Sequence, residues 1–339
     1  MARRIGTYTL HDWSEIDWEF TGGDSALLVG NGASRAVWSK FDYSSLFNDA
    51  SSQPAGFALD DLAVFASLNT TSFEQVLTAL RAAFMVMRNL DKPAATRARG
   101  CYTSIREQLF LAVNRVHVEW DTCDAWNVLQ SIGVALHEYG RVFSTNYDLL
   151  VYWSAMSAMT SPGNRGWFND FFTYSVFTLD GAVMARPGTR VLYLHGALHL
   201  YKTPDGETKK LRYENGMPIL SHLRRLGSGV PLFVAEGDAT DKVRSIRSSD
   251  YLSFCLEQYD LFRGPVTIFG QRIAESDRHL LKPLARTGAD IAVSLHVGDR
   301  SDQAIQRIMD EWCSLLWPAA PRFFNSLTHP LGSPALKVG

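Results

Sequence analysis

Five short apolar runs, each closed by glycine or polar residues and separated by stretches of helical spacing, constrain the fold of this chain more than any other feature. Ala26-Leu27-Leu28-Val29, Val142-Phe143, Val191-Leu192-Tyr193-Leu194, Val266-Thr267-Ile268-Phe269 and Ile291-Ala292-Val293-Ser294-Leu295 carry almost no charge or strong polarity. That composition suits strands covered on both faces. Between them, apolar residues recur at helical spacing over 60–90, 103–120, 124–139, 251–262 and 303–316, and a further helix follows Ser276. Thr71 or Ser72 is placed to cap the helix that begins at Phe73. The alternation predicts an α/β fold, a Rossmann-like parallel sheet with helices on both faces. One domain is expected over 1–330, with a helical insertion or subdomain at about 60–140 and a surface insertion at about 202–230. The aromatic, serine-rich stretch 38–58 reads as loop or short helices, and the proline-bearing tail 318–339 as irregular.

Composition narrows the function classes. The chain has 339 residues, enough for a large core, and a formal net charge of -2 from 33 basic and 35 acidic side chains. No overall field therefore holds nucleic acid or an anionic membrane. No run of about 18 apolar residues occurs, and the first residues lack the apolar centre of a signal peptide, so a cytoplasmic protein without membrane contact is expected. The four cysteines, Cys101, Cys123, Cys255 and Cys313, form no Cys-x-x-Cys pair. This gives neither a zinc ribbon nor a disulfide framework, and free buried thiols are expected.

The chemistry lies in the residues just past the strands, because ligands of open α/β sheets sit outside the carboxyl ends. Gly30-Asn31-Gly32-Ala33-Ser34 allows close backbone approach and can open a helix towards a phosphate; it is equally a plain strand-to-helix turn. Asn146 and Asp148, two apart after Thr145, share one side of an extended continuation, where an amide and a carboxylate can hold hydroxyls or water. The alternative is a turn in which both bond their own backbone. His195, followed by Gly196, is the best general-base candidate among nine histidines. A purely structural histidine is the competing reading. His199 lacks partners at ligand spacing, so no metal is expected. Gly270-Gln271 with Asp277 reads as another ligand-facing loop, or as a loop whose Ser276 or Asp277 caps a helix.

Taken in order, these segments resemble the sirtuin family, specifically its prokaryotic, zinc-free, NAD-consuming branch. Gly30-Asn31-Gly32-Ala33-Ser34 is similar to that family's Gly-Ala-Gly-x-Ser loop, Thr145-Asn146-Tyr147-Asp148 to its Thr-(Gln)-Asn-x-Asp segment, and His195-Gly196 to its catalytic His-Gly. Gly270 with Asp277 resembles its late Gly-x-Ser…Asp segment. The cysteine pairs of the zinc module and the Gly-Ile-Pro-Asp-Phe-Arg stretch of deacylases are absent. The resemblance implies an NAD hydrolase that takes NAD as substrate and yields nicotinamide and ADP-ribose. In that reading His195 is the base, Asn146 positions ribose or water, and Asp148 orients. Gly30, Gly32 and Ser34 hold the pyrophosphate, Gly270 and Asp277 approach the adenosine end, and Asn31, Ala33, Thr145, Gly196 and Gln271 complete the NAD-binding set. It further implies an anti-phage defence setting and activity gated by a homo-oligomer or a regulatory partner. A silent NAD or ADP-ribose sensor and an NAD-dependent deacylase are the alternatives.

Overall fold

The computed structural model describes residues 2–41, 43–116, 123–160, 167–212, 230–234 and 238–338. Its main sheet is built on the expected strands. In chain order these are β1 (Arg3–Ile5), β2 (Tyr8–His11), β3 (Gly22–Val29), β4 (Tyr139–Ser144) and β5 (Phe168–Asn169). After the small strands β6 (Phe172–Thr173) and β7 (Val176–Phe177) comes β8 (Thr189–Tyr193), followed by β9 (Gly196–Lys202), β10 (Thr208–Lys210) and β11 (Val230–Phe233). The last three are β12 (Val266–Phe269), β13 (Ile291–Leu295) and β14 (Arg322–Asn325). The main sheet runs β1-β2-β14-β13-β12-β3-β4-β8-β5. Only β1 is antiparallel to its neighbour. The α/β reading of the sequence therefore holds: a mostly parallel sheet flanked by helices.

The apolar runs form these strands because both faces of the sheet are covered. Leu27, Leu28, Val142, Phe143 and Leu192 are fully buried, and each contributes on the order of 2 kcal/mol by leaving water. Chain order reverses between β3 and β12: β4 and β8 lie on one side of β3, while β12, β13 and β14 lie on the other. This is the doubly wound arrangement, whose switch point opens a crevice at the carboxyl ends. Phe269, Val29, Ser144 and Tyr193 form one row across β12, β3, β4 and β8. Those four strands thus end level with one another.

The region between β3 and β4 is helical, as expected: Leu59–Ser67, Phe73–Leu90, Lys92–Val116 and Cys123–His137. Ser72 is the cap of the second of these, accepting from the Gln75 amide. The stretch after the glycine turn forms Asn31–Val37 and Tyr43–Ser51. Cys101, Cys255 and Cys313 are free thiols, and the Cys123 side chain lies outside what is described.

Three features correct the sequence reading. The tail is not irregular throughout, because Arg322–Asn325 is a parallel strand between β13 and β2 with Phe323 and Phe324 buried. Four residues flanked by prolines are too few to show a strand period. The first residues supply β1 and β2, whose mixed side chains match edge strands rather than a core run. The stretch after His195 joins a second, antiparallel sheet, β11-β9-β10-β7-β6. This sheet takes in residues 208–210 and 230–233 at the borders of the expected surface insertion, and residues 213–229 of that insertion lie outside the described residues. No helix among the described residues is long and apolar enough to cross a membrane.

Candidate functional site

The ladder of the main sheet continues one step past the level row. Gly30 donates its amide to Phe269 at 2.9 Å, Thr145 to Val29 at 3.0 Å and Leu194 to Ser144 at 2.8 Å. Asn146 and His195 then occupy matching positions, each two residues beyond the paired Ser144 and Tyr193 on adjacent strands. Neighbouring strands lie about 4.8 Å apart, so topology alone brings the amide and the imidazole to one edge of the sheet.

The glycine turn and the loop after β12 fit each other. A Cβ on Gly32 would sit 2.7 Å from the Gly270 backbone, and one on Gly30 would sit 2.6 Å from Gln271 Cα. Gly270 has φ +69° and would press on the backbone of Ala33. The Gly32 amide donates to the Gly270 carbonyl at 2.8 Å. These glycines therefore permit two backbones to touch, which only side-chain-free residues allow. Asn31 and Gly32 stay half-buried, while Gly30, Ala33 and Ser34 are buried.

Ser34 is the centre of a buried triad. Its hydroxyl donates to Asp148 Oδ2 at 2.6 Å and accepts from Asn146 Nδ2 at 2.9 Å. Asp148 Oδ1 accepts from the Leu150 amide at 2.8 Å, at the start of helix Leu150–Thr160. Burial pushes the Asp148 carboxyl above its ordinary range, and the Ser34 and Leu150 donors oppose that push. The order of donors fixes the amide. Ser34 has one proton and gives it to the carboxylate, so it can only accept from Asn146. Asn146 Oδ1 is left buried with no hydrogen-bond partner among the described residues. A buried acceptor without a donor costs about 1–3 kcal/mol, and a ligand donor can recover that.

His195 is set by a change of sheet. β8 ends at Tyr193 and β9 begins at Gly196, whose φ of +75° turns the chain out of the main sheet. The Leu232 carbonyl fills the space where a Gly196 side chain would be. Gly196 therefore serves the turn itself, where no side chain fits. The Val234 amide holds the His195 carbonyl at 2.7 Å. The His195 and His279 rings meet edge to edge, with centroids 5.2 Å apart and planes at 26°, and Nε2 lies 3.1 Å from Nε2. Burial, helped by the Lys242 ammonium, pushes His195 down to about 3, so it is neutral near pH 7.

A second network lies beside it. Lys242 Nζ donates to Glu74 Oε1 at 2.6 Å and Asp277 Oδ1 at 2.9 Å, and Gln271 Nε2 donates to Asp277 Oδ2 at 2.9 Å. Gln271 Oε1 in turn accepts from Thr145 Oγ1 at 3.0 Å. Burial alone would raise Asp277, but His195 and Lys242 hold its carboxyl below the usual range. Burial lowers Lys242, yet Asp277 and Glu74 bring it above its ordinary value. Asp277 makes no capping bond to helix Arg278–Thr287; its partners are the lysine and the glutamine. Glu74 belongs to helix Phe73–Leu90, so this junction ties the helical region to the site.

Among the described residues, His195, Asp277 and His279 are a donor set compact enough for a metal ion, with ligand atoms within 4.8 Å of one another. The chemistry of the set opposes one: both Asp277 oxygens are engaged, and an ammonium stands in the same shell. His199 is elsewhere, fully buried between the rings of Tyr152 and Tyr193 at 4.5 Å and 4.9 Å. Neither ring nitrogen has a hydrogen-bond partner among the described residues.

Every site residue singled out in the sequence thus lies in the segments that follow the carboxyl ends of four adjacent strands, in the loops or at the first turn of the next element. Lys242, Glu74 and His279 were not selected. Only His279 carried a signal, its place two residues after Asp277 at the start of the helix that follows β12. No curated protein matches the sequence. A family model described as Domain of unknown function (DUF4917) matches residues 27–330, a span that holds the whole site and leaves out β1 and β2. The chain belongs to the DUF4917 family.

Proposed function

We propose that the protein is an NAD glycohydrolase that splits the bond between nicotinamide and ribose with water. One observation carries this reading: at matching positions on adjacent strands of the switch point, Asn146 Oδ1 is a buried acceptor without a hydrogen-bond partner among the described residues, and His195 makes its ring hydrogen bond through Nε2, which leaves Nδ1 for a ligand. Two acceptors at one crevice suit a ribose diol or a water, each with two protons to give. The crevice is also the usual place for a dinucleotide in a doubly wound sheet. The zinc-free sirtuin resemblance supplies the choice of NAD.

In the proposed reaction the nicotinamide–ribose bond breaks, its electron pair leaves with neutral nicotinamide, and the water oxygen bonds the ribose carbon. The water proton passes to His195 Nδ1 and then to solvent, so NAD and water yield nicotinamide, ADP-ribose and a proton. Asn146 Oδ1 holds the ribose hydroxyl or the water, and Ser34 with Asp148 fixes the amide so that this oxygen faces the ligand. Asn31 and Gly32, the half-buried members of the glycine turn, would carry the pyrophosphate, with Gly270, Gln271 and Asp277 towards the adenosine. Gating by a homo-oligomer or a regulatory partner, and a role in depleting NAD during phage infection, belong to the same proposal.

The test is nicotinamide release from NAD with no peptide present. Wild type is expected to release nicotinamide, and His195→Ala and Asn146→Ala to lower the rate by about 10²-fold or more. Undiminished release from both variants would falsify the site, and release only with an acylated peptide would move the protein to the deacylases. ADP-ribose binding without release, in wild type as in the variants, would favour the sensor.

A further inference from the structure

We propose that His279 is a positioning residue that fixes the tautomer of His195, so that the proton-accepting atom is His195 Nδ1. The assignment comes from a chain of hydrogen bonds with one consistent direction. His279 Nδ1 lies 3.1 Å from the Ser276 carbonyl oxygen, which can only accept, so Nδ1 carries the His279 proton. A neutral imidazole with its proton on Nδ1 presents a lone pair at Nε2. His279 Nε2 faces His195 Nε2 at 3.1 Å, and that contact is a hydrogen bond only if His195 is the donor. The His195 proton is therefore on Nε2 and its lone pair on Nδ1.

Both rings are neutral for physical reasons. Burial lowers each, Lys242 adds to the effect in both, and Asp277 opposes it. The groups around the pair are Lys242 from helix Ala239–Arg247, Glu74 from helix Phe73–Leu90, and Ser276 and Asp277 from the turn after β12. Lys242 bonds Asp277 directly, and His279 is the second residue of helix Arg278–Thr287, which starts directly after Asp277. The ion-pair junction thereby holds the loop that carries the Ser276 carbonyl. A carbonyl behind the second histidine does for this pair what an orienting acceptor does for the base of a catalytic triad.

This inference deepens the proposed function and rests on it for the role of the proton, but the tautomer is readable without any turnover. Long-range proton–nitrogen NMR of histidine-labelled protein separates the two neutral tautomers. The expected result is His195 protonated on Nε2 and His279 on Nδ1. In His279→Asn, which keeps a donor near the Ser276 carbonyl but offers His195 no acceptor at the Nε2 position, His195 is expected to become a mixture of tautomers. In His279→Gln, whose amide oxygen reaches the Nε2 position, the wild-type tautomer is expected to return. Nicotinamide release should keep the same order, with kcat lowered roughly tenfold or more in His279→Asn, largely restored in His279→Gln, and KM little changed.

His195 protonated on Nδ1 in the wild type overturns the proposal. So does an unaltered His195 tautomer in His279→Asn, or zinc binding at one ion per chain that removes both Nε2 signals. Correct tautomers in a protein that releases no nicotinamide would leave the dyad standing and sink the NAD reading instead.

Discussion

Two buried histidines beyond strands of the main sheet, His195 after β8 and His329 after β14, show how the same electrostatic outcome serves different ends. His195 and His329 are both pushed down to about 3, and both are neutral near pH 7. For His329 burial alone is responsible. Its ring is boxed by Trp13 at 4.5 Å, Phe269 at 4.8 Å and Phe324 at 5.7 Å. Its Nδ1 accepts from the Leu331 amide at 3.0 Å, which leaves Nε2 to donate to the Tyr139 hydroxyl at 3.0 Å. Nothing is left over for a ligand. The His195 surroundings hold an ammonium, a carboxylate and a second imidazole, and one ring nitrogen has no partner among the described residues. A saturated histidine ties elements together, whereas an unsaturated one in a charged crevice can do chemistry.

That contrast is open to attack, first through activity. His195→Ala should lower nicotinamide release by about 10²- to 10⁴-fold, the usual worth of a general base. His329→Ala should change kcat by no more than about threefold. A comparable loss in both variants would erase the distinction.

Stability should rank the pair the other way. His329→Ala removes packed ring volume and strands the Tyr139 hydroxyl and the Leu331 amide, a cost of about 3 kcal/mol. His195→Ala also removes a buried ring but strands only His279 Nε2, and should cost less, about 2 kcal/mol. Denaturant midpoints at pH 7.5 check both values.

Acid should act on the two sites alike. A histidine whose folded-state value is lowered binds its proton more readily when unfolded, so its stability contribution is intact above the unfolded value of 6.5. That contribution is lost as pH falls from 6.5 towards 3. At pH 5 each site should have lost about 2 kcal/mol relative to pH 7.5, from 1.36 kcal/mol per pH unit. His329→Leu should flatten the fall by its own share, and an unchanged slope would contradict the neutral buried ring.

Lys242→Met should separate the sites again, with the smallest effect. Removing the ammonium takes away one cause of the low His195 value, so the acidic limb of kcat should move to higher pH. The His329 share of the stability profile should stay where it is.

Much of this molecule is legible in its sequence. The runs Val266–Phe269 and Ile291–Leu295 match their strands residue for residue, because a strand buried on both faces must be apolar throughout. The parallel order came from helices between strands. β14 escaped notice because Phe323 and Phe324, set between prolines, are too short a signal to carry a period. β9 was hidden by the glycine of His195-Gly196, where a strand leaves one sheet for another. The site divides in the same way. Asn146, Asp148 and His195 announce themselves by standing just past strand ends. Lys242, Glu74 and His279 are set by packing between segments far apart in sequence, and no local pattern distinguishes a buried lysine from the exposed Arg244 on the same helix.

The glycines show the limit most clearly. Gly30 and Gly32 read as a phosphate cradle and Gly270 as an approach to the adenosine end, and their closest neighbours are each other's loops. A sequence shows that a backbone must be approached; it does not show by what. Gly32→Ala, forced against the Gly270 backbone, tests this directly.

The central claim is that NAD is cleaved where the four strand ends meet, and a structure of the Asn146→Ala variant soaked with NAD tests it most directly. The account predicts the nicotinamide ribose within hydrogen-bond reach of His195 Nδ1, about 3 Å, with the pyrophosphate against Asn31 and Gly32. NAD bound elsewhere, or its nicotinamide ribose turned away from His195, would contradict it.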